Sequence, residues 1–191
     1  MGMRLQSHLE DRGVKVLVSA KITDIGEVDG GLNIEMKKGN IRTDLSLAAI
    51  GLLPNTQLAK EADLEVEKGI VVNRYGQTSD PNIYALGDCA QVCGILRFYV
   101  SPLRICAEVI ATHLIGGDRQ ISYPPLPVML KFPSHPVCFC FNEVPSAWEV
   151  TQDTGGVRAV AYDQDQLVGF AVSGSFMPER ASLKAQMLNW L

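Results

Sequence analysis

Residues 77–90 read QTSDPNIYALGDCA. An apolar strand over 83–86 runs into Gly87, then Asp88, then small residues able to open a helix. In an open α/β sheet, ligands bind in the crevice beyond the carboxyl ends of the strands. Gly87 carries no Cβ, so a ligand can come close to the backbone there. The Asp88 carboxylate has two uses at this place. It can accept hydrogen bonds from the hydroxyls of a polyhydroxylated ligand, or it can serve only as the cap of the following helix. Spacing alone leaves both open.

A second segment lies upstream. Residues 46–55, SLAAIGLLPN, read as a buried strand, a glycine (Gly51) and a turn made by Pro54 and Asn55. Alone, this pattern fits any buried strand that ends in a Pro-Asn turn.

The two segments together resemble pyridine-nucleotide-dependent flavoprotein reductases. In those enzymes a T-x5-[FY]-A-x-G-D pattern contacts the ribityl chain of the flavin, and Thr78, Tyr84, Ala85, Gly87 and Asp88 match it. They also carry an apolar strand ending in A-x-G-x-x-P-N at the close of the NAD(P)H domain, matched by Ala49, Gly51, Pro54 and Asn55. Within that group, FYVSP at 98–102 and VMLKFPSHP at 128–136 look like rubredoxin reductase. By that likeness Val100 contacts flavin through its backbone. Lys131 approaches the ring from a small C-terminal domain, where a cation stabilises negative charge developing on it. Phe132 stands where a small polar residue is usual, and an exposed lysine at a strand end is the competing reading of Lys131.

Composition narrows the field. The chain has 191 residues, 47% of them hydrophobic, enough for one domain or two small ones. Its net charge of −4 speaks against nucleic-acid binding, which needs a basic stripe. No apolar run approaches a membrane span, and the charged opening MGMRLQSHLEDR is unlike a signal sequence, so a cytoplasmic location is expected. Five cysteines, with Cys89-x3-Cys93 and Cys138-x-Cys140 spacings, form neither a redox dithiol nor a zinc pattern. Cys138 and Cys140 are expected to pack on one strand face.

Along the chain the pattern predicts a helix over 3–12 stopped by Gly13 and a buried strand over 14–18. Strands at 21–25, 32–36 and 41–45 follow, joined by Asp29-Gly30-Gly31 and Lys38-Gly39-Asn40 turns. A strand at 70–73 precedes the 77–90 motif. A helix follows from Ser101 as N-cap to Gly116-Gly117, with Leu103, Cys106, Ala107, Ile110 and Leu114 as its buried stripe and His113 packed or exposed beside it. Pro124, Pro125 and Pro127 mark a linker. Beyond it lie strands at 128–132, 137–141, 148–152, 157–162 and 167–173, then a closing helix over 178–191 with Leu183, Met187, Leu188 and Leu191 inward.

The fold class expected is therefore α/β and α+β: partial Rossmann-like, three-layer dinucleotide-binding segments, then a small antiparallel sheet plus helix. The expected division is 1–53 as the second half of an NAD(P)H-binding domain, 54–122 as the C-terminal segment of an FAD-binding domain, and 123–191 as the small domain. No G-x-G-x-x-G occurs. That loop lets a backbone reach a pyrophosphate, so the chain reads as the C-terminal part of a longer reductase, inactive alone. The resemblance implies FAD and NAD(P)H as cofactors, with hydride passing from NAD(P)H to flavin and single electrons to rubredoxin or a similar carrier. From Ile121 onward four basic residues face six acidic ones, a poor match for an acidic carrier apart from Arg180 and Lys184, one turn apart. A ferredoxin, a flavodiiron protein or a small oxidant are other acceptors. A cofactor-free docking or dimerising module is the alternative of a different class, with homodimers formed through surface left uncovered.

Overall fold

The computed structural model describes residues 1–132 and 135–191. Pro133 and Ser134, within the lysine-bearing stretch, lie outside the described residues. The chain divides into two units, Met1–Gly51 and Leu52–Leu191.

In the first unit, helix α1 (Gly2–Glu10) ends at Gly13, whose φ of +81° suits a residue without Cβ. The Val14 amide closes the turn by donating to the Leu9 carbonyl at 3.1 Å. Strands β1 (Ile22–Val28), β2 (Gly31–Met36) and β3 (Gly39–Thr43) form the expected antiparallel meander. Gly31 is obligatory in its turn, because a Cβ there would lie 2.5 Å from the Thr43 carbonyl oxygen.

Two expectations fail in this unit. Residues 14–18 and 46–51 form no strand, and they are not buried. Val18 is 70% exposed, Leu47 87% and Ile50 95%. Both runs are apolar enough for a strand covered on both faces. A strand exists only as a ladder with a neighbour, and no described segment pairs with either.

The second unit holds two sheets and two cores. Helix α2 (Gln57–Glu61) precedes β4 (Ile70–Val72), which runs parallel to β5 (Ala90–Val92); β6 (Ile95–Leu96) turns back on β5. Helix α3 (Val100–Leu114) covers this sheet and is stopped by Gly116 at φ +86°. It starts earlier than the sequence suggested: Tyr99, not Ser101, is the N-cap, and Pro102 sits inside the first turn. Its buried face is Pro102, Cys106, Val109 and Ile110, while Ala107 and Leu114 are exposed and Leu103 is more than one-third exposed. The two stripes share Cys106 and Ile110, and helical periodicity cannot choose between flanks one residue apart. His113 is packed, its ring stacked on Tyr75 with centroids 4.6 Å apart.

The five-stranded antiparallel sheet has β7 (Val128–Leu130), β8 (Val137–Phe141), β9 (Glu149–Gln152), β10 (Val157–Asp163) and β11 (Gln166–Ser173) in the order β7-β8-β11-β10-β9. Every predicted strand after the prolines is present. The closing helix is shorter than expected. A 3-10 segment, Gly174–Glu179, leads into α4 (Arg180–Ala185), and the last six residues are irregular. Leu183 and Met187 are buried as predicted, but Leu188 is 66% exposed. Cys138 and Cys140 do share the face under α4, at 0% and 1% exposure.

The proline stretch does not swing free. Ile121 and Tyr123 belong to the first core, with Val72, Val92, Cys106 and Val109. The second core holds Phe170, Val160, Val172 and Leu183. Trp190 packs against both, and its amide donates to the Tyr123 carbonyl at 2.7 Å. Arg97 stacks on the Trp190 ring at 4.9 Å and donates to the Asn142 side chain. The architecture is mixed α/β, with a parallel strand pair backed by a helix and an antiparallel sheet-plus-helix module.

Candidate functional site

The 77–90 motif folds into a tight return. Thr78 Oγ1 donates to the Asp80 carbonyl at 3.0 Å and accepts from the Asp80 amide at 3.2 Å. Asp80 Oδ1 in turn accepts from the Asn82 amide at 2.8 Å. These short-range bonds turn the chain so that Gln77 bridges Tyr84 and the Ala85 amide reaches the Gly76 carbonyl at 3.0 Å. Ala85 is buried in the first core. Residues 83–86 are therefore extended but paired only at Tyr84, less than the strand expected there.

Gly87 opens a 3-10 turn, Gly87–Cys89, with φ +79°. A Cβ on it would press within 3.1 Å of Leu103 Cδ1, so glycine serves both the left-handed backbone and the close approach of α3. The turn leads into β5, not into a helix. That corrects the reading of Asp88 as a helix cap: Asp88 lies inside the turn and caps nothing. A parallel partner in β4 draws Ala90 into a ladder, and sheet pairing overrides the helix-opening composition of Cys89 and Ala90.

Of the five motif residues, Thr78, Tyr84, Ala85 and Gly87 have structural work to do within the chain. Asp88 has none. It is exposed and makes no hydrogen bond or ion pair to the described residues. A carboxylate at the edge of a glycine turn, held by nothing, is free to accept hydrogen bonds from outside.

The turn packs against the start of α3. Val100 is the first residue of that helix, 73% exposed, and the N-cap Tyr99 makes no side-chain capping bond. The first amides of a helix have no intrahelical acceptor, so the Val100 backbone presents a donor beside exposed Tyr99 and Leu103. These groups fit one flank of a flavin: a carboxylate for hydroxyls, a backbone N–H for a ring edge and apolar surface for the ring face. They do not fit its pyrophosphate, for which the chain has no glycine-rich loop. Lys131 is exposed just beyond the end of β7, as the plain strand-end reading has it.

Other polar groups explain themselves structurally. Cys106 Sγ lies 3.2 Å from Tyr123 Oη in the first core. Burial pushes the Cys140 thiol up to about 12, helped by neighbouring Cys138, and raises the Cys106 and Cys138 thiols too. None of these three is a nucleophile at neutral pH. Among the described residues no group of three or more His, Cys, Asp or Glu side chains is placed to hold a metal ion. No described helix is long and apolar enough to cross a membrane. Arg97 was missed from sequence. Its charge within the run ILRFYV was the available signal, and burial lowers its guanidinium pKa where it ties the two cores.

Residues 1–109, more than half of the chain, match the pyridine nucleotide-disulphide oxidoreductase family. The chain belongs to that family. Residues 120–187 match the rubredoxin binding C-terminal domain. The chain is 36% identical over 188 residues to a nitric oxide reductase FlRd-NAD(+) reductase from Pectobacterium atrosepticum, covering 96% of this chain and 50% of that protein. It thus spans about half the length of the curated relatives it matches. Its fold is shared with an FAD-dependent pyridine nucleotide-disulphide oxidoreductase from Desulfovibrio vulgaris (TM-score 0.79, 23% identity, 96% of this chain and 53% of that one). NADH:rubredoxin oxidoreductase from Clostridium acetobutylicum is also similar (TM-score 0.61, 24% identity, 73% and 37%). The resemblance carried by Thr78, Tyr84, Ala85, Gly87 and Asp88 therefore identifies the family correctly.

Proposed function

We propose that this chain is the carrier-binding and flavin-flanking half of an FAD-dependent NAD(P)H:rubredoxin-type oxidoreductase. The observation that carries this reading is Asp88: a motif carboxylate without a side-chain partner among the described residues, on a glycine turn whose other motif residues are all occupied structurally. In the working enzyme Gly87 and Asp88 hold the ribityl chain, the Val100 amide meets the ring, and Lys131 supplies a positive charge near it. The flavin supplies the two-electron to one-electron conversion between nicotinamide and an iron–sulfur carrier. The protein's part is to bind, orient and keep the charge balanced. Residues 1–53, 54–122 and 123–191 serve as the nicotinamide-side, flavin-side and carrier-side segments, in a cytoplasmic enzyme.

The test is co-expression with the amino-terminal half of the Pectobacterium relative, which restores a chain of full length in two pieces. The reading expects a yellow complex that reduces rubredoxin with NADH or NADPH. A colourless mixture that leaves rubredoxin oxidised overturns it.

A second reading rests on a separate observation. Leu45, Leu47 and Ile50 are 80–95% exposed in one run of the first unit. Such surface favours association, and in isolation the chain forms homodimers through it.

A further inference from the structure

Two sheets share the second unit, yet among the described residues no helix or strand of one packs along a helix or strand of the other. What joins them is a seam of side chains and the end of the chain. The Trp190 amide donates to the Tyr123 carbonyl at 2.7 Å, and Ser122 Oγ donates to the Leu191 carbonyl at 2.8 Å. Asn189 Nδ2 donates to Ser122 Oγ at 3.1 Å. These bonds pin the residues beyond α4 to the segment that Tyr123 carries into the first core. Trp190 then packs against both cores.

Arg97 closes the seam from the side of the glycine turn. It follows β6 directly, stands three residues before Val100, and borders the small hollow behind the turn with Gly87, Leu103 and Tyr123. Its guanidinium stacks on the Trp190 ring at 4.9 Å, and Nη2 donates to Asn142 Oδ1 just past the end of β8. The setting is a costly one for a cation. No Asp or Glu among the described residues pairs with it, and its buried Nε has no acceptor. A joint that needs only adhesion is served as well by apolar side chains of the same volume. A planar fork stacked on one face and donating at its edge does more, because it fixes the angle between the parts it joins.

We infer that Arg97, acting through Trp190 and Asn142, is a positioning residue that sets how the five-stranded sheet sits against the glycine turn and the start of α3. It touches neither cofactor nor carrier. Its use rests on the electron-transfer reading above, in which the turn flanks the flavin and the sheet serves the carrier. The clasp itself is a property of this chain alone. With Arg97 in place, electrons leave the flavin side by one fixed geometry. Without it each core stays folded, and the two are joined only by the linker and the bonds of the chain end.

The test has two arms. In the isolated chain, nitrogen-15 relaxation gives the rotational correlation times of the first core and of the five-stranded sheet. In the yellow complex with the amino-terminal half of the Pectobacterium relative, NADH-driven reduction of rubredoxin is compared with that of ferricyanide, a small oxidant that needs no docking sheet. Wild type is expected to show a single correlation time for both cores. Arg97→Met keeps the packed stem and loses the charge and the fork. It should show two shorter correlation times with unchanged circular dichroism, and reduce rubredoxin about tenfold more slowly with ferricyanide reduction unchanged. Arg97→Lys keeps the charge and should recover part of both losses. Arg158→Met, paired with Glu179 and no part of the seam, should match wild type. A single correlation time for Arg97→Met, equal loss toward both acceptors, or unfolding of either core makes Arg97 a packing residue and overturns the inference. So does an unchanged rubredoxin rate beside two correlation times. A wild-type complex that is colourless or leaves rubredoxin oxidised removes the electron-transfer reading instead, and the relaxation arm still decides the clasp.

Discussion

Titrated with FAD on its own, the chain is expected to stay colourless and show no saturable binding below about millimolar cofactor. The reasoning is a comparison of magnitudes. Asp88 offers a charge-assisted hydrogen bond worth roughly 1.5–3 kcal/mol, and the Val100 amide adds about 1 kcal/mol. Millimolar affinity already needs about 4 kcal/mol and micromolar about 8. The hollow beside the turn, lined by Gly87, Leu103, Cys106 and Tyr123, is too small to hold a water molecule. The pyrophosphate, which carries the cofactor's charge, has no glycine-rich loop to meet it. Flavin fluorescence during titration and the absorbance of the purified chain are the measurements. Stoichiometric yellow protein would mean that residues other than those named grip the cofactor.

Replacing Phe170 with alanine should have the largest effect on the fold. Phe170 is 0% exposed on β11, the central strand of its sheet, opposite Cys140 on one side and Val160 on the other. Emptying such a site costs about 3–5 kcal/mol, against total stabilities of roughly 5–15 kcal/mol for domains of ordinary size. The urea midpoint of Phe170→Ala should fall accordingly with little change in slope. Tyr162→Ala, at 42% exposure on the same sheet, should move the midpoint far less. A loss below about 1 kcal/mol for Phe170→Ala would be too small for a fully packed core position.

The five-stranded sheet was legible because its sequence is self-sufficient. Each strand from β7 to β11 pairs within the chain, and period-two apolar residues such as Cys138 and Cys140 find their cover in α4. The meander β1–β3 was legible for the same reason, with Gly30 and Gly39 at its turns. Residues 14–18 and 46–51 were misread because their apolar character is a statement about neighbours that no described segment provides. The error at α3 came from two overlapping stripes that composition cannot rank.

The site was half legible. Gly87 was read as letting a ligand approach the backbone, whereas within the chain its φ of +79° and the close approach of Leu103 are what call for glycine. Asp88 was given two uses, and pairing of β5 with β4 removed one of them. That pairing is invisible locally, because strands β4 and β5 are far apart in sequence.

The central claim is that Asp88 exists to hold the hydroxylated chain of a flavin, and one dissociation constant tests it. FAD affinity is compared for wild type and Asp88→Ala in the yellow complex with the amino-terminal half of the Pectobacterium relative. Loss of a charge-assisted bond predicts affinity weaker by roughly ten- to a hundredfold, with the complex still assembled. An unchanged constant would contradict the account and leave Asp88 an ordinary surface acid.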